Sequence, residues 1–251
     1  MKKLLALFMV AVMILSFAGC SRGTDLEEVA DNGELVIGIR NYKPVSYKEN
    51  GEWTGFEVEF AKLFAKELGV KAKFVEIDWT QKYNLLEEYD IDCVWNLLTI
   101  LPNYQTTITM SDGYCWSNQI LVMKADVVDN YKNGYDVRKL KFVAADETSG
   151  DVCLEREGYK YSSVVPTQTD ALNAVKSGKA DCAIVDEIFA KQYVGKGEYS
   201  ALATGFYYSE EGVAVGFRKD SDLAKKFKEF LSKVKDEELT DLANEYGITL
   251  Y

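Results

Sequence analysis

The chain has 251 residues, with 29 Lys and Arg against 40 Asp and Glu, a net charge of −11 at pH 7, and no histidine. Such an acidic chain repels nucleic acid and anionic headgroups, so we expect no nucleic-acid partner. The lack of histidine excludes Ser-His-Asp and Cys-His catalysis and removes the commonest zinc ligand, so we expect neither a metal site nor a cofactor.

The N-terminal residues predict export and lipid anchoring. Two lysines precede an apolar run, residues 4–17, which is interrupted only by Ser16 and is too short to span a membrane comfortably. Small residues then precede Cys20, as in a lipobox, although Phe17 stands where leucine is usual. We therefore expect a signal peptide over residues 1–19 and a lipid on Cys20, which holds the protein at the outer face of the cytoplasmic membrane. Secretion with Cys20 as a free thiol is the alternative.

In chain order, the first half of the sequence alternates between helix and strand patterns. An acidic first turn and a closing Asn-Gly predict a helix over residues 24–33. Asn50 and Gly51 predict a two-residue hairpin turn, and apolar residues at helical spacing predict a helix from Thr54 to Gly69. Apolar runs predict strands over residues 35–39, 74–77 and 91–98, with a helix over 83–88 before the last of them.

The pattern restarts after an extended stretch over residues 118–124. The second half predicts strands over 140–145, 163–165 and 180–185, and helices over 149–158, 169–177 and 187–194. A second extended run, residues 211–217, returns the chain to its first half, where helices over 221–234 and 237–246 close it. This alternation implies parallel sheets with helices on both faces.

We therefore predict an α/β protein with two α/β lobes joined by a hinge of two strands. Lobe 1 is discontinuous, with residues 24–117 plus 212–251, and lobe 2 comprises residues 118–211 with the hinge strands. A cleft between two such lobes is a favoured place for a small-molecule ligand.

Beyond Cys20 the sequence has an even number of cysteines, and the predicted compartment permits disulfides. Their spacing does not determine which cysteines would be paired. They are Cys93, Cys115, Cys153 and Cys182. Cys93 and Cys182 lie in apolar runs that read as strands, which favours buried thiols there.

Four segments carry a family resemblance: "LVIGIRNYKPVSYKENGEWTGFEVEFAKLFAKELG", "IDCVWNLLT", "KADCAIVDE" and "GVAVGFRKDSDLAKKFKEFL". Together they resemble the extracellular solute-binding proteins (family 3) of polar amino-acid ABC importers. The resemblance implies a two-lobed, hinged fold of the periplasmic-binding-protein type II. It also implies a binding protein, not an enzyme, that closes on one ligand and delivers it to a membrane permease. We expect it to act as a monomer.

The resemblance also implies a set of ligand contacts. Tyr42 and Trp53 stand where similar proteins sandwich the ligand side chain, although either ring could simply pack against the hairpin. Asp186 stands where the family pairs with an α-ammonium, with a helix cap as the alternative role. Thr148 and Ser149 resemble the lobe 2 cradle for a carboxylate.

The hydroxyl of Thr99 matches a further carboxylate contact in lobe 1, although capping would also suit it. The family usually has an arginine about five residues later, but here that position is Tyr104, which lacks the charge and the fork of a guanidinium. Arg40, at the end of the first predicted strand, could compensate, or it could be a solvated or lobe-bridging arginine.

Two ligand classes follow from these residues. If Arg40 holds an anion and Asp186 a cation, the ligand is a zwitterion in a shifted pose. If Arg40 points away, a pocket of aromatic rings with Asp186 suits a cationic or carboxylate-free amine. The pocket residues in that case are Tyr42, Trp53, Trp95, Tyr104 and Asp186.

Two rival functions stay open at this point. One is an enzyme of dehydratase or lytic type on the same lobes, with Asp146 or Glu147 as the acid or base. The other is a ligand-sensing lipoprotein. The sequence does not name the ligand or the permease.

Overall fold

The computed structural model describes residues 23–100, 106–234 and 238–251. The predicted signal peptide, Cys20 and Tyr104 lie outside the described residues. Within the described ranges, no helix is both long enough and apolar enough to cross a membrane.

The secondary structure alternates along the chain as the sequence predicts. The strands are β1 Glu34–Ile39, β2 Tyr47–Glu49, β3 Glu52–Thr54, β4 Lys71–Glu76, β5 Cys93–Thr99, β6 Thr109–Met110, β7 Cys115–Trp116, β8 Gln119–Lys124, β9 Phe142–Ala145, β10 Ser162–Val165, β11 Cys182–Asp186, β12 Leu202–Ser209 and β13 Gly212–Phe217. The α-helices are α1 Asp25–Asn32, α2 Phe56–Leu68, α3 Lys82–Glu87, α4 Ser149–Glu157, α5 Gln168–Ser177, α6 Glu187–Tyr193, α7 Asp222–Val234 and α8 Glu238–Tyr246.

Two separate sheets define two lobes. The sheet of lobe 1 has the order β4-β1-β5-β13-β6, with β7 also paired to β13. The sheet of lobe 2 has the order β10-β9-β11-β8-β12. In each sheet the βαβ strands pair in parallel, whereas β8 and β13 run antiparallel to their neighbours. The predicted α/β class with two lobes is confirmed.

Helix α2 shows how the sequence pattern positions an element. Phe56, Phe60 and Phe64 recur every four residues and are all fully buried, so one face of the helix packs into the core of lobe 1. Gly69 ends the helix in the left-handed conformation. Gly55 precedes the helix with φ of 117°, and a Cβ there would lie 2.6 Å from the carbonyl oxygen of Val45.

The chain crosses between the lobes twice, between β7 and β8 and between β12 and β13. The two crossing segments are hydrogen-bonded to each other: the Ser117 N–H donates to the Glu211 carbonyl oxygen at 3.0 Å. The Glu211 N–H in turn donates to Oδ1 of Asn118 at 3.2 Å. A paired double crossing of this kind is a hinge. The predicted lobe boundaries at residues 118 and 211 stay a prediction.

An aromatic cluster forms the centre of lobe 1. Trp95 is fully buried there, with its ring centroid 5.1 Å from that of Phe60 and 5.2 Å from that of Phe227. Its ring packs in the core and lines neither cleft cavity, and the place of Trp95 in the ligand pocket stays a prediction.

The cysteines of the described chain are buried free thiols. They are Cys93, Cys115, Cys153 and Cys182. Burial raises the pKa of each of these thiols, so they are held in the neutral form.

Strand β12 is the main element that the sequence pattern does not predict. It pairs with β8 along the edge of the lobe 2 sheet. Its residues are mostly half-buried or exposed, and Gly205 interrupts it, so neither an apolar run nor a regular alternation marks it.

Candidate functional site

The two lobes meet along a cleft that contains two cavities. The outer cavity has a volume of about 620 Å³, and its walls come from both lobes. The inner cavity has a volume of about 20 Å³, roughly the room that one water molecule needs. Arg40 and Trp79 line both cavities and form the boundary between them.

Arg40 extends from the carboxyl end of β1 into the cleft. Its guanidinium carbon lies 4.1 Å from the ring centroid of Trp79 and 5.3 Å from that of Tyr42, within the range of cation–π attraction. Nε donates to Oδ1 of Asn96 at 2.9 Å, and within the described ranges this is the only hydrogen bond of the side chain. Two terminal nitrogens therefore remain available as a fork for an anion.

The guanidinium of Arg40 carries its charge although the side chain is half-buried. Burial lowers the pKa of Arg40, whereas the nearby groups Tyr42, Asp186 and Glu57 raise it. Arginine titrates so high that the guanidinium stays charged all the same. A chain of hydrogen bonds holds the Arg40 side chain in position. Asn96, which accepts from Arg40, donates to the Ser46 hydroxyl, and this hydroxyl donates to the Arg40 carbonyl oxygen at 2.8 Å.

Asp186 lies at the carboxyl end of β11, opposite Arg40. It occupies the N-cap position of α6, but its side chain makes no capping hydrogen bond. The carboxylate instead accepts from the Tyr42 hydroxyl at 2.7 Å, from Nε2 of Gln119 at 2.6 Å and from Nε2 of Gln168. Tyr42 belongs to lobe 1 and Asp186 to lobe 2, so their hydrogen bond joins the two lobes.

Tyr42 is a neutral donor in this contact. Burial raises the pKa of the Tyr42 phenol well above its ordinary value, and the Asp186 carboxylate raises it further. The phenol therefore keeps its proton at any physiological pH.

The hydroxyls predicted to hold a carboxylate line the inner cavity. Thr148 donates to the Ala145 carbonyl oxygen at 2.6 Å, and Thr99 donates to Oε2 of Glu211 at 3.2 Å. Ser149 lines the same cavity. Burial raises the pKa of Glu211. The hydrogen bond from the Ser209 hydroxyl, at 2.6 Å, is the largest of the contributions that lower it.

A second interlobe contact closes the cleft beside this cavity. Nζ of Lys82, in lobe 1, donates to the Trp79 carbonyl oxygen at 3.1 Å and to Oε2 of Glu147, in lobe 2, at 2.9 Å. Burial lowers the pKa of Lys82, and the hydrogen bond to Glu147 raises it.

The structure brings six of the predicted contact residues together at the cleft. They are Arg40, Tyr42, Thr99, Thr148, Ser149 and Asp186. Trp53 lies elsewhere: it is on the hairpin, with Nζ of Lys48 4.6 Å above its ring, and it lines neither cleft cavity. The structure thus favours the alternative reading for Trp53, packing against the hairpin.

Sequence reasoning missed Trp79, Gln119, Gln168 and Glu211. A signal for Trp79 was present, because it comes three residues after the end of β4 and the carboxyl ends of β1, β4 and β5 meet at one edge of the sheet. Gln119 follows the first crossing between the lobes and Glu211 lies in the second, and no local pattern marks either residue.

Two hinged α/β lobes with oppositely charged groups across their cleft define a protein that encloses a small ligand. Residues 35–249 match the model of the bacterial extracellular solute-binding proteins, family 3, and the chain belongs to this family.

Curated relatives and solved structures agree with this membership. The chain is 27% identical over 246 residues to the arginine-binding extracellular protein ArtP of Bacillus subtilis, which covers 94% of both chains. It is 28% identical over 227 residues to the L-cystine-binding protein TcyJ of Escherichia coli, covering 88% of this chain and 85% of the relative. The crystal structure of AncCDT-1, an ancestral amino acid-binding protein and precursor of cyclohexadienyl dehydratase, matches with a TM-score of 0.80 and 28% identity, covering 88% of this chain and 98% of the other.

Proposed function

We propose that the protein captures an amino acid, or a related small amine or zwitterion, in the interlobe cleft and delivers it to the permease of an ABC importer. The observation that carries this proposal is the pair Arg40 and Asp186. A guanidinium whose two terminal nitrogens make no hydrogen bond to the described residues and a buried carboxylate face each other across the cleft, as a ligand with both charges requires. The names of the relatives, which bind arginine and cystine, support the same class of ligand.

Each proposed contact has a role set by its chemistry. Arg40 receives an anionic group, Asp186 receives an ammonium, and Tyr42 and Trp79 enclose the rest of the ligand between their rings. The hydroxyls of the inner cavity complete the site; these are Thr99, Thr148 and Ser149. Tyr104 stays a proposed contact as well.

Ligand entry requires the lobes to separate. The inner cavity is smaller than any amino acid, and the hydrogen bond between Tyr42 and Asp186 holds its two walls together. We therefore propose that ligand binds to an open form and replaces interlobe contacts as the hinge closes.

We also propose that the chain is exported and anchored. The family is extracellular, and the lipobox at Cys20 after a signal peptide over residues 1–19 supports a lipid anchor at the outer face of the membrane. Cys20→Ser should release the protein into the soluble fraction of the cell envelope or the medium. Unchanged fractionation with the membrane would contradict the anchor.

We propose that the protein is a binder and not an enzyme. The side chain of Glu147, one of the two acids considered for catalysis, is engaged by Lys82. AncCDT-1 is a precursor of a dehydratase, so conversion of the ligand is tested directly. A ligand bound to the protein should be recovered chemically unchanged after long incubation.

Thermal unfolding against a panel of amino acids, amines and dicarboxylates tests the proposed function. A ligand at 100 times its dissociation constant should add about 2.7 kcal/mol to the free energy of unfolding, which is a visible shift in Tm. Absence of a shift with every amino acid and every amine would contradict the proposal. A sensing role would show the same shift but no ligand uptake by cells that carry the permease.

A further inference from the structure

Strand β5 has a bulge where it approaches the cleft. Val94 and Leu98 pair with Gly216 and Ala214, which are only two positions apart in β13, so the three residues between Val94 and Leu98 stand against a single residue of β13. Within the bulge, Leu97 has a left-handed backbone with φ of 52°, which a leucine rarely adopts. Bulges and strained residues of this kind often lie beside binding sites, where they re-aim side chains.

The bulge contributes two consecutive residues to the binding cleft. Asn96 accepts from Nε of Arg40 at 2.9 Å. Leu97, the next residue, lines the inner cavity. Neighbouring side chains of a regular strand point to opposite faces of the sheet, so an unbroken strand would not bring both residues to one site. The position of the Arg40 guanidinium therefore depends on the bulge.

Glu57, in the first turn of α2, holds the bulge from the side away from the cleft. Its side chain lies in the core of lobe 1, where the residue is only 1% exposed. The Leu97 N–H donates to Oε1 of Glu57 at 2.8 Å, and the Tyr114 hydroxyl donates to the same oxygen. A buried N–H that leaves the strand ladder is costly unless it finds another acceptor. Glu57 supplies that acceptor.

The charge of Glu57 is linked to that of Arg40. Burial raises the pKa of Glu57 to about 7, whereas hydrogen bonds from Tyr114 and Leu97 and the positive charge of Arg40 lower it. Tyr114 and Cys115 also face Glu57, but burial raises the pKa of both well above the ordinary value, so both are neutral. Among the described residues, Arg40 is the charged group that acts on Glu57 most strongly.

We infer that Glu57 is a positioning residue of the binding site, which holds the β5 bulge behind Asn96 and Leu97 and whose charge responds to an anion on Arg40. This inference rests on the proposed function, in which Arg40 receives the anionic group of the ligand. An anion on the guanidinium offsets the positive charge that favours ionised Glu57. Binding of a carboxylate at neutral pH therefore draws a proton onto Glu57, whereas binding of an amine without a carboxylate draws none.

Isothermal titration calorimetry in two buffers of different ionisation enthalpy measures this proton. The probes are L-arginine and L-glutamine, with agmatine as the decarboxylated form of arginine. The natural protein should take up a fraction of a proton with a bound amino acid and none with agmatine. Because the bound form holds more protons, affinity for the amino acid should fall by about two- to threefold from pH 6 to pH 8. Proton release with a bound amino acid would overturn the inference.

Two substitutions of Glu57 separate its position from its charge. Glu57→Gln keeps an acceptor for the Leu97 N–H but cannot titrate, so it should bind the amino acid without the proton uptake. Glu57→Leu removes the acceptor and should weaken binding by about tenfold or more. Glu59→Gln, on the same helix and paired with Lys62, is the matched control and should keep the natural uptake. Unchanged uptake in Glu57→Gln, or natural affinity in Glu57→Leu, would overturn the inference.

A measurement without ligand separates the inference from the proposed function. Arg40→Met removes the positive charge that acts on Glu57, so the titration midpoint of Glu57, followed by NMR of its carboxyl carbon, should rise. An unchanged midpoint would overturn the inference even if Glu57→Leu does not fold. A raised midpoint with no binding of any probe would support the link between the two residues and contradict the proposed function.

Discussion

Nζ of Lys82 lies 2.9 Å from Oε2 of Glu147, and this ion pair joins lobe 1 to lobe 2 beside the inner cavity. The Lys82 side chain is 1% exposed and that of Glu147 is 44% exposed, so the lysine is enclosed by the closed cleft while its partner still meets water. We expect that opening the hinge would separate the two groups and return the ammonium to water. We therefore expect this pair, which we call the latch, to stabilise the closed form.

Glu147→Gln should shift the hinge towards the open form, because the buried Lys82 ammonium then lacks its charged partner. We expect a larger radius of gyration by small-angle X-ray scattering and ligand dissociation that is about three to ten times faster. Glu198→Gln is a suitable control, since it breaks the exposed pair with Lys176 within lobe 2. Equal radii for Glu147→Gln and the control would show that the latch has no effect.

Trp79→Ala should weaken ligand binding by about tenfold or more, because this ring supports the Arg40 guanidinium and lines both cavities. Trp53→Ala is the matched control, since Trp53 contacts Lys48 on the hairpin and lines neither cavity. Titration calorimetry of both variants provides the measurement. A loss of affinity in Trp53→Ala with none in Trp79→Ala would place the ligand elsewhere.

The positions of the charged site residues could be predicted from the sequence. Arg40 and Asp186 each follow an apolar strand, and polar residues at the carboxyl ends of parallel strands project into the cleft of an α/β fold. The same logic applied to Trp79, which follows β4, but the strand was predicted to end one residue later than it does.

Other parts of the site depend on tertiary structure that no local pattern carries. Trp95 lies in a strand whose residues are all buried, so nothing local shows which of its two faces turns to the core. Glu211 comes near Thr99 and Gln119 only because the two interlobe crossings run side by side. Strand β12 likewise takes its place from pairing with β8 and not from its own composition.

Arg40→Ala should separate the two ligand classes. An amino acid whose carboxylate lies on the guanidinium should lose affinity by about tenfold or more, whereas an amine without a carboxylate should lose little. Calorimetry with an amino acid and its decarboxylated amine tests both expectations on one variant. Equal losses for the two compounds would mean that Arg40 supports the pocket walls and does not contact the ligand.

Glu57 should make stability depend on pH. Its carboxylate accepts from the Leu97 N–H at 2.8 Å and from the Tyr114 hydroxyl, but burial raises its pKa from 4.5 to about 7. Between these pH values the folded state keeps a proton that the unfolded state releases. The free energy of unfolding should therefore fall as pH rises from 4.5 to 7, by about 3 kcal/mol from this group, and then level off.

Glu57→Gln should remove this part of the pH dependence. The amide keeps an oxygen for both donors and carries no charge, so the variant should be more stable than the natural protein at pH 8 and similar to it at pH 4.5. Glu59→Gln, on the same helix and paired with Lys62, should keep the natural pH profile. Denaturant unfolding at several pH values measures the free energy of unfolding of both proteins. The same change with pH in Glu57→Gln and in the natural protein would contradict the assignment to Glu57.

Native mass spectrometry of the protein purified without denaturation, compared with Asp186→Ala, tests the central claim most directly. If the cleft between Arg40 and Asp186 captures the ligand, the natural protein carries one small amine-bearing molecule per chain. The Asp186→Ala protein, folded as judged by circular dichroism, carries none. A small molecule retained by both proteins to the same extent would place the binding site outside this cleft.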